Sequence, residues 1–487
     1  MSVDQSVTRP PIAPLRRAFS ISGHSPQQLD LLKQATLDIL ETVGVKFPSA
    51  RALDILAEHG CGVDRDRQVV TFSPQLVLDA MATAPRTFTL GAREPDCELP
   101  IDDDTTYCTT DGCGTMVVDW ETGEKRRSTK ADLARVTRLQ DYLSSIAFWW
   151  PTVSAGECGE TAQLHELDAG WNNTVKHLQG MVNGAREARY AVEMARAVAG
   201  GAAELHRRPL LSDLIGTISP LVQDEDGIEA ALVFAEAGVP VVFVTMPTLG
   251  TTAPATRAGA FAVGAAELVS ATVLLQLAYP GAPVGHSIMQ SYADPRTGGF
   301  VSFPLDGRCR FLATELAHHW GVPSEAACCG TDAKASGTWQ SAVEDGMDLV
   351  QFAFENCDLG PSIGLLDVYT LFTPEELILG DDIYHRARYA IMEMDFDDEA
   401  LALDTVAAVG PGGHYLGQKH TRTHLRRSFV PAITHQPDPD GHFREPLEVA
   451  RERARWIDEH YRPTPLDPDL AGELTRVLAA ADAELRG

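Results

Sequence analysis

Short apolar segments with strand character alternate with amphipathic helical stretches along most of this chain. Strands are expected to begin near Tyr107, Ile146, His177, Leu210, Val239, Pro283, Ala326 and Ser362. The spacing of roughly 30 to 45 residues leaves room for one helix in each gap. Helical periodicity fills several gaps, at 186–199, 226–237 and 341–356. Parallel neighbours require such crossovers, so eight strands in this rhythm predict an α/β fold of the (β/α)8 TIM-barrel type over residues 105–372. A doubly wound open sheet is the competitor, but it calls for a nucleotide fingerprint. Gly412 and Gly413 are not followed by the required glycine spacing, and no GxxxxGK run occurs.

Residues 1–104 read as an N-terminal helical and small-sheet cap. An apolar 3.6-residue period through Leu29, Leu32, Leu37, Leu40 and Val43 starts after Ser25 and Pro26 and stops at Gly44. A second helix runs through Leu53 and Leu56. Residues 63–72 predict a hairpin turning at Asp66 and Arg67, and Ser73 with Pro74 opens another helix. A further hairpin is expected over 116–127. Residues 373–487 form a C-terminal helical extension, with helices over 381–394, 398–409, 446–461 and 469–485. The last two are amphipathic and suit either closure of the barrel or a contact in a homo-oligomer.

Composition narrows the partners. With 40 basic and 68 acidic side chains the chain carries a net charge of −28, which argues against wrapping nucleic acid or lying on anionic lipid. The N-terminus has Pro10, Pro11 and Pro14 and no apolar signal-like core, and the apolar stretch 261–279 is interrupted by Glu267, Ser270, Thr272 and Gln276. It is therefore expected to be a buried helix. The nine cysteines, including Cys108, Cys113 and the adjacent Cys328 and Cys329, form no CxxC pair, so reduced thiols in a cytoplasmic protein are expected.

In a barrel of this type the reacting groups stand at the C-terminal ends of the strands. Those ends carry Asp111, Trp149 and Trp150, Met246, Gly250 and Thr251, His286, Gly330 with Asp332 and Lys334, and Tyr369; His177 lies at the third strand. Adjacent Trp149 and Trp150 must point to opposite faces of their strand, one into the barrel and one toward the helices. Asp332 and Lys334 read as a functional pair or a loop salt bridge. His318 and His319 belong to an outer helix. His420 and His424 have i, i+4 spacing but no third ligand, so no metal site is expected. A mouth offering tryptophan, tyrosine and methionine suits a quaternary ammonium, which is attracted to aromatic faces.

Several runs, in order along the chain, resemble the trimethylamine methyltransferase (MttB) superfamily: LDILETVGVKF at 37–47, APRTFTL at 84–90, DWETGEKRR at 119–127, ISPL at 218–221, Met246 and Pro247 with GTTAP at 250–254, TDAK at 331–334, and VGPGGHYL at 409–416 before His420. YPGAP at 279–283 resembles the family's NPGAP run but opens with Tyr279. The resemblance implies an enzyme that moves a methyl group from a methylated amine to a cob(I)alamin-type corrinoid on a separate small corrinoid-binding protein. With only the twenty standard residues, the chain is similar to the branch without pyrrolysine, whose substrates are quaternary amines such as glycine betaine. On that reading Trp149 or Trp150, Met246 and Tyr369 hold the ammonium, and His177, His286 or Lys334 meets a substrate carboxylate. Asp332 orients Lys334, while Gly250, Thr251 and Gly330 shape the opening for the corrinoid. A folate-accepting barrel methyltransferase and a non-catalytic quaternary-amine binder are the alternatives.

Overall fold

A computed structural model describes residues 7–16, 18–19, 21–301, 307–326, 330–425 and 429–486. Cys328 and Cys329 lie outside the described residues, as does the side chain of Ser362. The cap forms as local sequence dictates. Helix α1 (Pro26–Thr42) opens on a capping box in which Ser25 and Gln28 exchange side-chain and backbone hydrogen bonds, with Pro26 in the first turn. It stops at Gly44, where φ is 79° and a Cβ would sit 2.5 Å from the Val70 carbonyl oxygen. Helix α2 (Ala50–Glu58), the hairpin of Gly62–Asp64 with Val69–Thr71, and α3 (Pro74–Met81) follow.

Seven parallel strands are numbered here β1 (Thr105–Thr110), β2 (Phe148–Trp149), β3 (His177–Gly180), β4 (Leu211–Ile218), β5 (Val241–Thr245), β6 (Val284–Ile288) and β7 (Leu359–Ile363). The pairs β2–β3, β3–β4, β4–β5, β5–β6 and β7–β1 are all parallel. Where a strand was expected near Ala326, the described residues form isolated parallel bridges, His286 to Ser324 and Glu325 to Leu359; another joins Cys108 to Ile146. Smaller antiparallel pieces complete a mixed α/β fold, among them the hairpin of Met116–Val118 with Lys125–Arg127.

The helices between the strands are α4 (Lys130–Tyr142), α5 (Ala162–Asn173), α6 (Ala185–Ala199), α7 (Ala202–Arg207), α8 (Glu225–Ala237), α9 (Arg257–Ala278), α10 (Gly307–His319) and α11 (Trp339–Phe354). Among the described residues only α9 is long and apolar enough to cross a membrane, and 89% of its apolar window is buried inside the fold. The tail comprises α12 (Pro374–Ile391), α13 (Asp398–Leu401), α14 (Leu403–Val409), α15 (Lys419–His424), α16 (Pro446–His460) and α17 (Pro468–Leu485). The helix expected over 398–409 is broken at Ala402, whose φ is 51°, and α12 starts earlier than expected because Thr373 caps it ahead of Pro374. One apolar core joins the cap, the sheet and the tail, through residues such as Phe47, Leu178, Phe234, Ile457 and Leu474.

Burying charge inside α9 has a structural purpose. Glu267, fully buried, accepts hydrogen bonds from Thr217 Oγ1 at 2.6 Å, Ser219 Oγ at 2.9 Å and the Leu221 amide at 2.8 Å, and from Thr245 Oγ1. Its carboxylate therefore gathers the ends of β4 and β5. Buried Lys176 plays the converse part, donating to the carbonyls of Gln140 at 2.7 Å, Leu143 at 2.9 Å and Ile146 at 2.6 Å, which closes the C-terminus of α4.

Strand alternation places two expected ligand residues elsewhere. Gly285 faces Val242, so the next residue, His286, turns toward the helices and its Nε2 lies 2.8 Å from Thr272 Oγ1 of α9. His177 stands at the N-terminal start of β3, with Nδ1 2.8 Å from the Gly91 carbonyl oxygen and Nε2 2.9 Å from Ser212 Oγ. Both nitrogens of His177 and Nε2 of His286 are therefore engaged away from the C-terminal strand ends.

Two predictions follow from these buried groups. Glu267→Ala leaves four donors without their acceptor and is expected to cost about 3 kcal/mol or more, read as a lower urea midpoint with unchanged m-value. Burial holds His177 at about 4 and His286 at about 3, against about 6.5 in the unfolded chain. Because the unfolded state takes up these protons first, their stabilisation is complete above about pH 6.5 and is lost as pH falls toward 4 and then 3, at roughly 1.4 kcal/mol per pH unit for each histidine. Thermal melts from pH 7 to pH 4 should show this slope, and His286→Gln should flatten it.

Candidate active site

The C-terminal strand ends bring an acidic group and aromatic rings together. Directly after β1, Asp111 is fully buried and its amide donates to the Ile363 carbonyl at 2.9 Å. Gly112 follows, and a Cβ there would meet the Trp150 ring at 3.2 Å, so glycine lets the indole lie against the β1 turn. Trp150 packs on the interior face with Leu214 and Val242, bordered by Met181 and Val244. Its buried Nε1 has no hydrogen-bond partner among the described residues. Cys113 Sγ lies 3.4 Å from Met181 Sδ, and burial pushes this thiol well above the usual range.

The opposite wall is made by Gly330 and Tyr369. A Cβ on Gly330 would lie 3.0 Å from Asp111 Oδ2 and 3.0 Å from two carbons of the Tyr369 ring, so carboxylate and ring flank the same backbone atom. Tyr369 reaches this point through an unusual turn. Asp367, Val368 and Tyr369 have φ of 53°, 57° and 60°, a left-handed conformation that a β-branched valine rarely adopts. Each such residue costs on the order of 1 kcal/mol or more, offset here by Lys125 Nζ donating to Asp367 at 3.0 Å, the Asp367 amide donating to Ala333, and Thr370 closing back on Leu366.

Deeper in the same interior, Gln179 Nε2 of β3 donates to Glu325 Oε2 at 2.8 Å. Burial raises the Glu325 carboxyl to about 7. This pair links the third strand to the bridge segment at 324–325.

The expected site residues divide by placement. Tyr369 and Gly330 come together beside Asp111, and Trp150 lies against Gly112, the residue after it. Trp149 faces the helices, as alternation required of one of the two tryptophans: its Nε1 donates to Thr137 Oγ1 at 2.9 Å and it belongs to the main core. Met246 is 54% exposed on the rim after β5, and Gly250 and Thr251 are exposed on the adjoining loop. Asp332 is half-buried, its amide donating to Glu344 at 2.9 Å. Lys334 is exposed, and no ion pair joins it to Asp332 among the described residues, so the expected orienting pair is not formed. Tyr279 bonds Arg51 and Glu236, tying the cap to α8 and α9.

Sequence reasoning named Asp111 at a strand end without giving it a role, and it passed over Met181. Asp111 was visible as an acidic residue at a strand end, and Met181 follows β3 directly; only packing reveals that both reach the interior. The remaining candidates are structural. His318 pairs with Asp358 and His319 with Asp30. His420 and His424 stack at 4.1 Å and both contact Glu399. Glu94, Asp96 and Cys97 lie within metal-ligand distance of one another, but the Arg9 guanidinium already sits 2.7 Å from Asp96 and 3.5 Å from Glu94.

Chemically, the constellation can desolvate and hold a cation against two rings and a carboxylate. The family model described as trimethylamine methyltransferase (MTTB) matches residues 5–485. Trimethylamine methyltransferase MttB of Desulfitobacterium hafniense is 29% identical over 472 residues, covering 96% of this chain and 95% of that protein. A glycine betaine methyltransferase of the same species is 28% identical over 471 residues, with 94% and 96% covered. The crystal structure of the Methanosarcina barkeri monomethylamine methyltransferase aligns with a TM-score of 0.45 at 12% identity, over 89% of this chain and 92% of that one. The chain belongs to the trimethylamine methyltransferase family.

Proposed function

We propose that this protein transfers a methyl group from a quaternary amine to a reduced corrinoid carried on a separate small protein. The observation that carries the reading is Asp111 and Tyr369 on either side of Gly330, with Trp150 against Gly112 next to Asp111, at the strand ends. A permanently charged ammonium is attracted by the ring faces and by a buried carboxylate in a low-dielectric site.

The reaction needs no proton at nitrogen. The N–CH₃ bond breaks with its electron pair left on nitrogen, and the leaving group is a neutral tertiary amine. That suits a cluster without an acid–base dyad. The corrinoid is a second substrate that supplies the nucleophilic cobalt(I). Met246, Gly250 and Thr251 form an exposed rim of modest bulk where a flat macrocycle held by a partner has access. The protein's own task is to orient one methyl group toward that rim and to exclude water around the ammonium. Trp150 Nε1 provides a donor for a polar end of the substrate, and exposed Lys334 is a cation for a carboxylate.

The same reading takes residues 105–372 as a closed (β/α)8 barrel between a cap at 1–104 and a helical extension at 373–487. The three isolated parallel bridges support closure, because they fall in the gaps between the paired strands. A cytoplasmic location accords with the reduced cysteines.

The test is to incubate the purified chain with cob(I)alamin and a panel of quaternary amines that includes glycine betaine. Corrinoid methylation is followed by absorbance and the tertiary amine by mass spectrometry. One substrate should be demethylated stoichiometrically. Calorimetric binding without transfer would establish the non-catalytic binder, and transfer only to tetrahydrofolate would establish the folate alternative. Asp111→Asn and Trp150→Leu should each raise KM by on the order of 10- to 100-fold, whereas His286→Gln should leave KM within about twofold because its ring packs on α9.

A further inference from the structure

The two amphipathic C-terminal helices are consumed within the chain. Helix α16 packs on α12 and α4, and α17 on α6 and α5, burying Val449, Ile457, Leu474 and Val477. The described stretch 392–425, together with Phe443, behaves in the opposite way. Its helices α13, α14 and α15 contain 4, 7 and 6 residues and bury no side chain. Met394, Phe396, Leu403, Leu416, Leu425 and Phe443 are between 64% and 78% exposed. Helices this short have no stability of their own in water, and six large apolar side chains this exposed on one segment are the composition of an interaction surface. The halves of the segment are pinned to each other by Glu399, which contacts both His420 and His424.

We infer that this segment is the contact surface for a second copy of the same chain, paired about a twofold axis. The charge pattern selects that occupant. The first half carries exposed Asp395 and Asp398, and the second carries exposed Lys419 and Arg422; among the described residues none of the four forms an ion pair within its chain. A twofold contact sets each half against its opposite in the partner, whereas a partner of single charge would satisfy one half and repel the other. Two chains of −28 each repel over most of their surface, so a contact must form where cations are local. The inference is independent of the reaction proposed above, since none of these residues belongs to the candidate active site.

Sedimentation velocity on the full chain tests it. The wild type should sediment at twice 52.7 kDa or a higher even multiple. The Phe396→Glu, Leu403→Glu, Leu416→Glu variant should sediment as the monomer with an unchanged far-UV spectrum. If that variant fails to fold, charge reversal decides. Asp395→Lys with Asp398→Lys, and separately Lys419→Glu with Arg422→Glu, should each give monomers, and mixing the two proteins should restore the dimer. A monomeric wild type, an undiminished mass in the triple variant, or reversed chains that fail to recombine would each overturn the inference. So would binding of this face to a corrinoid-binding protein in place of a second copy.

Discussion

A carboxylate that never meets solvent holds the working end of this protein in shape. Glu267 sits in the middle of the most apolar helix, yet it collects Thr217, Ser219, Leu221 and Thr245 from the ends of two neighbouring strands. A carboxyl group in such a place is tolerable only when its polar atoms are hydrogen-bonded, so the chain after β4 and β5 must wind around it. The side chains of those strands that face inward, Leu214, Val242 and Val244, then close against Trp150. Helix α9 also packs on α1, α2 and α3, so one helix fixes both the seat of the cap and the position of the mouth.

The site relies on placement more than on reactive groups. Asp111 and Tyr369 converge because residue 330 has no side chain, and the left-handed run at 367–369 is kept in place by bonds to Lys125, Ala333 and Leu366. Strain of this kind is retained where the surrounding structure over-determines it. The overall charge of −28 matters little to a bound cation beside one buried carboxylate and two rings, because screening in water confines the surface field to about 10 Å. Its stronger effect is on association between chains, which it restricts to surfaces that carry their own cations.

Much of the architecture was legible in the residues. The N-terminal elements followed their signals closely: Ser25 and Ser73 each precede a helix, and Gly44 ends one. These are local effects of capping and backbone freedom, and they survive without knowledge of the rest of the chain. Six of the eight expected strand starts fall within two residues of an observed one, because parallel strands are apolar on both faces and stand out from amphipathic helices; the strand expected from Ser362 instead begins at Leu359. The segment near Ala326 was the weakest such element, and it forms only single bridges. The break at Ala402 could not be foreseen, since neither alanine nor its neighbours carry a turn signal.

The site was half legible. Alternation required that one of Trp149 and Trp150 face inward, and position at a strand end pointed to Tyr369 and Gly330. His177 and His286 had the right chemistry on the right strands, but one stands at the wrong end and the other on the wrong face. A shift of one residue reverses a side chain's direction, and no pattern in a single sequence sets that register. By itself the sequence determined the local elements, their order and the family, because capping, periodicity and motif order are properties of neighbouring residues. Only the tertiary structure decided which side chains share the interior, because that depends on register and on contacts such as Gly330 with Asp111 between residues far apart in the chain.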